Sequence, residues 1–330
     1  MSSESKVIYA RTSLMYSKPL SDLIQREVYL KLENTQPCGS FKLRGISHSC
    51  QEKLKNGCTR FLGTSGGNAG LALAYTAEQL KVPCDIFVPE YVTPRMLKKL
   101  KSYGATINVI GKDWLETNAA AMGLLENHPE IGFVHPFDDP MIWEGHASII
   151  QEIKEDLQGR KPSCIVVSVG GGGLATGVLK GLEAQGWNEV PLLCMENAGA
   201  ECFNLSVKAG KQIVMEELTS VAMGARSCTQ ALLDSVSKFN IVSEVLPDKE
   251  AVLGCIRLAD DHGFLVEPSC GVALAAIYCN LLPEVMESRG YSTETGPIII
   301  IVCGGSNISH GTLKELANMF ELNLGDKKPK

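Results

Sequence analysis

Short continuous apolar runs alternate along this chain with stretches whose apolar positions recur every three or four residues. The runs 84–89, 105–110, 164–169, 190–195 and 297–302 are apolar on both faces, the pattern of buried parallel strands. Shorter strands are expected at 28–33 and 60–63. The periodic stretches predict helices over 68–80, 94–103, 113–126, 141–157, 177–185, 249–262, 271–282 and 312–320. Pro94 suits a first helical turn, where no backbone donor is needed. Strands and helices in alternation predict an α/β protein with largely parallel sheets. The stretch 44–142 holds three or four short strand–helix units, flanked by segments that belong together. The expected domains are therefore a larger lobe of 1–43 and 143–330 and a smaller lobe of 44–142, with a ligand cleft between them at the carboxyl ends of the strands.

Composition narrows the class of function. The chain has 330 residues, 45% of them hydrophobic, enough for one large or two ordinary cores. A net charge of −6 without a basic run argues against a nucleic-acid or anionic-membrane partner. The charged tail 326–330 reads as a solvated end, and the polar residues 1–6 carry no secretory signal. The longest apolar run, 298–303, is far too short to span a bilayer. Twelve cysteines are scattered singly, without C-x-x-C pairs or histidines at ligand spacing, so reduced thiols in a cytoplasmic chain are expected.

Candidate chemistry gathers where strands end. Lys42 follows the turn Gly39-Ser40 and the aromatic Phe41, and a lysine desolvated in such company can attack a carbonyl. Gly170-Gly171-Gly172-Gly173 and Leu174 join an apolar strand to a helix, a place where bare backbone N–H groups converge on an anion. Thr64-Ser65-Gly66-Gly67-Asn68-Ala69-Gly70 offers hydroxyls, amides and a helix start to a small carboxylate. Asn68 either caps that helix or donates to a ligand oxygen. Cys303, at the end of the last apolar run, is either a core cysteine or a thiol facing a ring nitrogen. Pyridoxal phosphate presents one partner to each of these: phosphate, aldehyde and pyridine nitrogen, with an amino-acid carboxylate alongside.

With these residues in place, the chain resembles the fold-type II pyridoxal-phosphate enzymes, and among them the L-serine/L-threonine dehydratases of animals. The likeness runs through 40–45, 64–70, 136–148, 168–174, 266–276 and 301–309, in order. It implies a two-lobed, tryptophan synthase β-like fold and a homodimer acting on a small amino acid. It implies that Lys42 holds the cofactor as a Schiff base and moves the Cα proton, that Phe41 packs on the ring and that Asn68 meets its 3-hydroxyl. Gly170 to Gly173 and the Leu174 amide would hold the phosphate, which would protonate the leaving hydroxyl. Ser65, Gly66, Asn68 and Ala69 would hold the substrate carboxylate. A neutral Cys303 thiol at the ring nitrogen would make a weaker electron sink than a carboxylate and favour prompt β-elimination. Relatives also bind a monovalent or divalent cation, potassium or magnesium, and Glu196, Ala200 and Cys202 match that segment. Cys202 departs from the usual hydroxyl, and the loop 220–226 is shorter than in relatives. At position 66 relatives carry glycine or alanine, and Gly66 is expected to leave room above the substrate. Trp143 and Glu267-Pro268, inside matching segments, read as packing and loop-shaping residues.

Two other readings stay open in the sequence. Serine racemisation on the same scaffold needs a second acid/base, for which Ser65 is the candidate. A nicotinamide-dependent dehydrogenase would use Gly170-x-Gly172-x-x-Ala175, with Glu196 as the ribose-binding acid.

Overall fold

The apolar runs become the central strands of two sheets in the computed structural model, which describes residues 7–222, 224–292 and 295–322. Residues 1–6, the tail 326–330 and Met223 of the loop 220–226 lie outside the described residues. The first half of the chain runs β1 (Leu14–Tyr16), α1 (Lys18–Ile24), β2 (Val28–Lys31), α2 (Lys42–Lys55), β3 (Arg60–Gly63), α3 (Asn68–Leu80), β4 (Cys84–Val88), α4 (Pro94–Ser102), β5 (Thr106–Val109), α5 (Trp114–Leu125) and β6 (Ile131–Phe133). It continues with α6 (Pro140–Asp156), β7 (Cys164–Ser168), α7 (Gly173–Ala184), β8 (Leu192–Asn197), α8 (Cys202–Ala209), α9 (Gln230–Ser235), β9 (Ile241–Leu246), α10 (Asp248–His262), α11 (Pro268–Tyr278), α12 (Leu281–Ser288), β10 (Ile298–Ile301) and α13 (His310–Met319).

The larger sheet has six strands in the order β1-β2-β10-β7-β8-β9, with β1 antiparallel to β2 and every other pair parallel. The smaller has four parallel strands, β5-β4-β3-β6. β4, β8 and β10 are buried along their whole length, which is why their sequences need no polar face. β5 departs from that expectation. It is an edge strand with both terminal residues in solvent, and an apolar run alone does not tell an edge from a centre.

Helices differ from the periodic pattern mainly at glycine, proline and asparagine. α7 starts at Gly173 rather than near 177, because hydrophobic periodicity is silent through a glycine run. α11 starts at Pro268 rather than 271 and stops at Tyr278, where Asn280 at φ 56° turns the chain into α12. β2 ends at Lys31 rather than 33 because Glu33–Thr35 winds into a 3-10 turn. Among the described residues no single helix is long and apolar enough to cross a membrane, and all twelve cysteines are free thiols.

One crossing sets the position of Lys42. A Cβ on Gly145 of α6 would lie 2.6 Å from the Arg44 carbonyl, and one on Gly45 of α2 would lie 2.5 Å from that of Ile142. The helices therefore touch backbone to backbone, as glycine alone permits. Beneath the crossing, Arg44 donates to both oxygens of Glu33 (2.7 and 2.8 Å) and to both of Glu152 (2.7 Å each), all buried. Lys31 of β2 joins from the other side, 2.6 Å from Glu152 Oε2.

Candidate active site

Lys42 is the first residue of α2, so its position follows from the loop before it and the crossing behind it. That loop is stitched to the end of β10: Phe41 N donates to the Cys303 carbonyl at 3.2 Å, and Gly305 N to the Gly39 carbonyl at 2.9 Å. The Lys42 amine donates to the Pro136 carbonyl at 2.7 Å and lies 5.1 Å from the Phe41 ring centroid and 6.0 Å from that of Phe137. Burial lowers its pKa to about 8, partly opposed by the Cys303 thiol. Phe41 is backed by His146, ring to ring at 4.9 Å, and His146 is itself buried and held neutral by that burial.

Phe137 links Lys42 to the glycine loop. Gly172 has φ +87° and serves as the N-cap of α7. A Cβ at Gly171 would fall 2.4 Å from the Phe137 ring, and one at Gly173 would fall 2.7 Å from the Phe137 carbonyl. The loop is glycine because Phe137 closes over it. Phe137 is fixed in turn by Trp143, whose Nε1 donates to the Phe137 carbonyl at 2.8 Å, and by its own amide, which donates to His135 Nδ1 at 3.2 Å. Trp143 thus does more than pack.

The third segment links β3 to α3. Gly67 N donates to Ser65 Oγ at 3.3 Å, and a Cβ on Gly70 would lie 1.8 Å from the Ser65 carbonyl, so the loop folds tightly onto the helix start. Asn68 does not cap α3 with its side chain. Its Nδ2 donates to Glu267 Oε1 at 3.0 Å and its Oδ1 accepts the Ser306 amide at 2.8 Å. Glu267 Oε1 also accepts the Asn307 amide at 2.7 Å, and burial raises its pKa against those bonds. Glu267, read from sequence as a loop-shaping residue, is the acid that orients Asn68; a buried carboxylate beside a proline gives no periodic signal. Val92 lies close to Gly66. A Cβ there would meet Val92 Cγ2 at 2.5 Å, so part of the space above it is filled by Val92.

Cys303 lies buried at the end of β10, 3.2 Å from Ser168 Oγ. The structure therefore brings Phe41, Lys42, Asn68, the glycine loop and Cys303 to the carboxyl ends of the strands. Glu196, Ala200 and Cys202 form a separate group behind the glycine loop. Both Glu196 oxygens accept backbone amides, from Phe203 at 2.9 Å and Asn204 at 2.7 Å, and burial pushes the carboxyl up to about 8. Cys202 Sγ donates to the Gly170 carbonyl at 3.5 Å. A carboxylate turned inward to cap α8 cannot reach a ribose, which removes the acid that the dinucleotide reading required.

Comparison with known proteins gives the same answer as the geometry. Over 318 residues the chain is 42% identical to the L-serine dehydratase/L-threonine deaminase of Mus musculus, covering 96% of this chain and 97% of the relative. It is 43% identical over 312 residues to the serine dehydratase-like protein of Homo sapiens, covering 92% of this chain and 93% of the relative. A fungal L-serine ammonia-lyase from Rhizomucor miehei superposes with a TM-score of 0.89 at 30% identity, covering 96% of this chain and 100% of that one. Maize serine racemase superposes at 0.82 and 24% identity over 95% of this chain and 92% of that one, a likeness of fold. The family profile described as pyridoxal-phosphate dependent enzyme matches residues 6–304. The expected fold-type II architecture stands, and this chain belongs to the pyridoxal-phosphate-dependent enzyme family.

Proposed function

We propose that this chain is an L-serine/L-threonine ammonia-lyase, converting serine to pyruvate and ammonia and threonine to 2-oxobutanoate and ammonia. The observation that carries the reading is the Lys42 amine, desolvated between Phe41 and Phe137, with Phe137 also closing over a glycine loop at a helix start. The residues fit the cofactor. The glycine loop has the bare backbone and the helix N-terminus that a phosphate needs, and Lys42 has an amine whose neutral form is accessible near neutral pH. When bound, pyridoxal phosphate supplies an aldehyde to react with amines and a ring that withdraws electrons from the substrate Cα.

The chain's own groups then have defined tasks. Gly170 to Gly173 and the Leu174 amide hold the phosphate, and Phe41, braced by His146, gives the ring a flat face. Ser65, Gly66, Asn68 and Ala69 hold the substrate carboxylate and fix the Cα–H bond toward Lys42. Lys42 Nζ takes the Cα proton, a role suited to an amine whose burial brings it near the working pH. Cys303 meets the ring nitrogen as a neutral donor. A cation is proposed near Glu196 and the Ala200 carbonyl on the resemblance, supported by the burial of a carboxyl whose oxygens accept the Phe203 and Asn204 amides. Hard ions prefer oxygen, so Cys202 would be the weakest member of that set. The lobes are proposed as 1–43 with 143–330 and as 44–142, supported by a four-stranded sheet whose strands all fall within 60–133. A cytoplasmic homodimer is proposed on the resemblance.

Absorption spectra with pyridoxal phosphate, before and after L-serine, test the reading in potassium and in tetramethylammonium buffer. A cofactor band that responds to serine while pyruvate accumulates supports it, and Lys42→Ala should abolish both. Formation of D-serine without pyruvate would favour racemisation instead. Equal rates in the two buffers, unchanged when a divalent-metal chelator is added, would remove the cation.

A further inference from the structure

His135 lies half-buried in the loop between β6 and α6, and its Nδ1 accepts two backbone amides, from Phe137 at 3.2 Å and from Asp138 at 2.7 Å. A ring nitrogen that accepts an N–H carries no proton of its own, so the histidine is neutral and its proton sits on Nε2. Packing holds the ring as well. It stands edge to face against Phe133 and Phe137, with centroids 6.2 and 4.7 Å away. Pro136, the second residue of the turn, restricts the backbone in between. At the far end Asp139 accepts the Met141 amide at 2.9 Å and caps α6.

The turn presents two groups to the site. The Pro136 carbonyl accepts the Lys42 amine at 2.7 Å. Phe137 lies 6.0 Å from the same amine and fills the space that a Cβ on Gly171 or Gly173 would need. The Pro136 carbonyl and the Phe137 N–H are the two ends of one planar peptide unit, pointing in opposite directions. An acceptor on the N–H therefore aims the carbonyl the other way, and here that way is Lys42. The same hydrogen bond polarises the unit and makes its oxygen a better acceptor. Trp143 Nε1 holds the next carbonyl, that of Phe137, at 2.8 Å, so His135 and Trp143 grip the phenylalanine backbone from both sides.

We propose that His135 is a positioning residue for Lys42: its unprotonated Nδ1 fixes the peptide unit between Pro136 and Phe137, which aims the Pro136 carbonyl at the amine and seats Phe137 over the glycine loop. The inference rests on the reading of Lys42 as the amine that engages the cofactor, and it adds what aims that amine. It also sets a limit in acid. Burial disfavours the imidazolium, Asp138 of the turn favours it, Lys42 of α2 opposes it and Asp139 at the α6 cap favours it; the balance lowers the histidine below its ordinary value. A protonated Nδ1 would turn an N–H toward two other N–H groups. The grip is thus present above the ordinary value of 6.5 and is lost as pH falls through the lower value in the formed turn.

The test begins on wild-type apoprotein. Long-range proton–nitrogen spectra of the histidines, with the His135 signals identified by their loss in His135→Asn, should show a bare Nδ1 and a protonated Nε2 at neutral pH. Asparagine places Oδ1 as far from Cβ as histidine places Nδ1, so it keeps an acceptor for both amides and does not titrate. Reductive methylation with formaldehyde, followed across pH at the Lys42 peptide by mass spectrometry, then reads the amine. In His135→Ala the Lys42 midpoint should rise toward the ordinary lysine value. Its rate at about pH 8, relative to the alkaline plateau, should fall at least about fivefold, the weight of one ordinary hydrogen bond. His135→Asn should keep the wild-type midpoint. For capture of pyridoxal phosphate, the ratio of wild-type to His135→Asn rates should be near one at neutral pH and fall in acid. A His135 with its proton on Nδ1, or coincident Lys42 midpoints in wild type and His135→Ala, would overturn the proposal, and the spectra decide alone if His135→Ala does not fold. Wild-type apoprotein that captures no cofactor would instead overturn the proposed function, while the spectra and the Lys42 midpoints would still decide the role of His135.

Discussion

At the scale of the residue, Lys42 shows how a side chain with an ordinary name acquires unusual chemistry. Its amine is removed from water by Phe41 and Phe137 and keeps the Pro136 carbonyl as a partner, a neutral oxygen that offers little compensation for lost hydration. Desolvation disfavours the charged form and brings the pKa to about 8. Only the neutral amine attacks a carbonyl, so covalent capture of pyridoxal phosphate by the apoprotein should accelerate with rising pH and level off above about 8. An unperturbed lysine would keep accelerating to roughly 10.4. Stopped-flow absorbance at a series of pH values measures this directly. A midpoint at the ordinary lysine value would mean that the amine is solvated and that the site is looser than described.

At the scale of the element, helix α2 carries Lys42 and is held by a polar network that no hydrophobic pattern announces. Arg44, Glu33, Glu152 and Lys31 are buried together, with Arg44 making four charge-assisted bonds at 2.7 to 2.8 Å. A buried ion cluster is weak evidence of net stabilisation, but removing one member leaves the others charged without compensation. Arg44→Ala should therefore cost about 3–5 kcal/mol in urea unfolding, and Arg44→Lys should recover only part, because an ammonium cannot reproduce the forked geometry. Burial would raise the Glu152 carboxyl, but Arg44 and Lys31 outweigh it and hold it below the usual range. Its contribution is thus present above the unfolded carboxylate value and lost as pH falls through the folded one. A flatter acid limb is expected in Arg44→Ala, and an unchanged limb would show that the cluster does not govern acid stability. Where helices begin and end was legible wherever side chains alternate, as at α3 and α4. It was not legible at the glycines that open α7 or at Asn280, which breaks a continuous apolar stretch by its backbone conformation.

At the scale of the whole molecule, the motifs were legible as a series, and their convergence was not. Lys42, the 64–70 loop, the glycine run and Cys303 each announce a strand end by residue type. Glu267 and Phe137 act through contacts across long sequence separations, and nothing local marks them. Glu267 is the clearest case, because it joins the two sheets. Asn68 opens α3 beside the smaller sheet, whereas Ser306 and Asn307 follow β10 of the larger, and Glu267 binds both sides through Asn68 and the Asn307 amide. Lys99 and Arg95 of α4 add donors to the Ser306 and Ile308 carbonyls, at 3.0 and 2.6 Å, so one short loop after β10 receives several contacts from the smaller sheet's helices. Removing the Glu267 carboxylate would leave the half-buried Asn68 amide and Asn307 N–H without their acceptor, at about 1–3 kcal/mol in all. That loss falls on the geometry that holds the substrate carboxylate. Glu267→Ala should consequently lower kcat/KM for serine roughly 10- to 100-fold, the rate equivalent of that range. Glu267→Gln, which retains an acceptor oxygen at nearly the same place, should restore much of it. Steady-state kinetics on both variants, read beside their urea midpoints, separates this from a general loosening. If Glu267→Ala unfolds earlier but keeps wild-type kcat/KM, the bridge between the sheets serves stability and Asn68 orients without it.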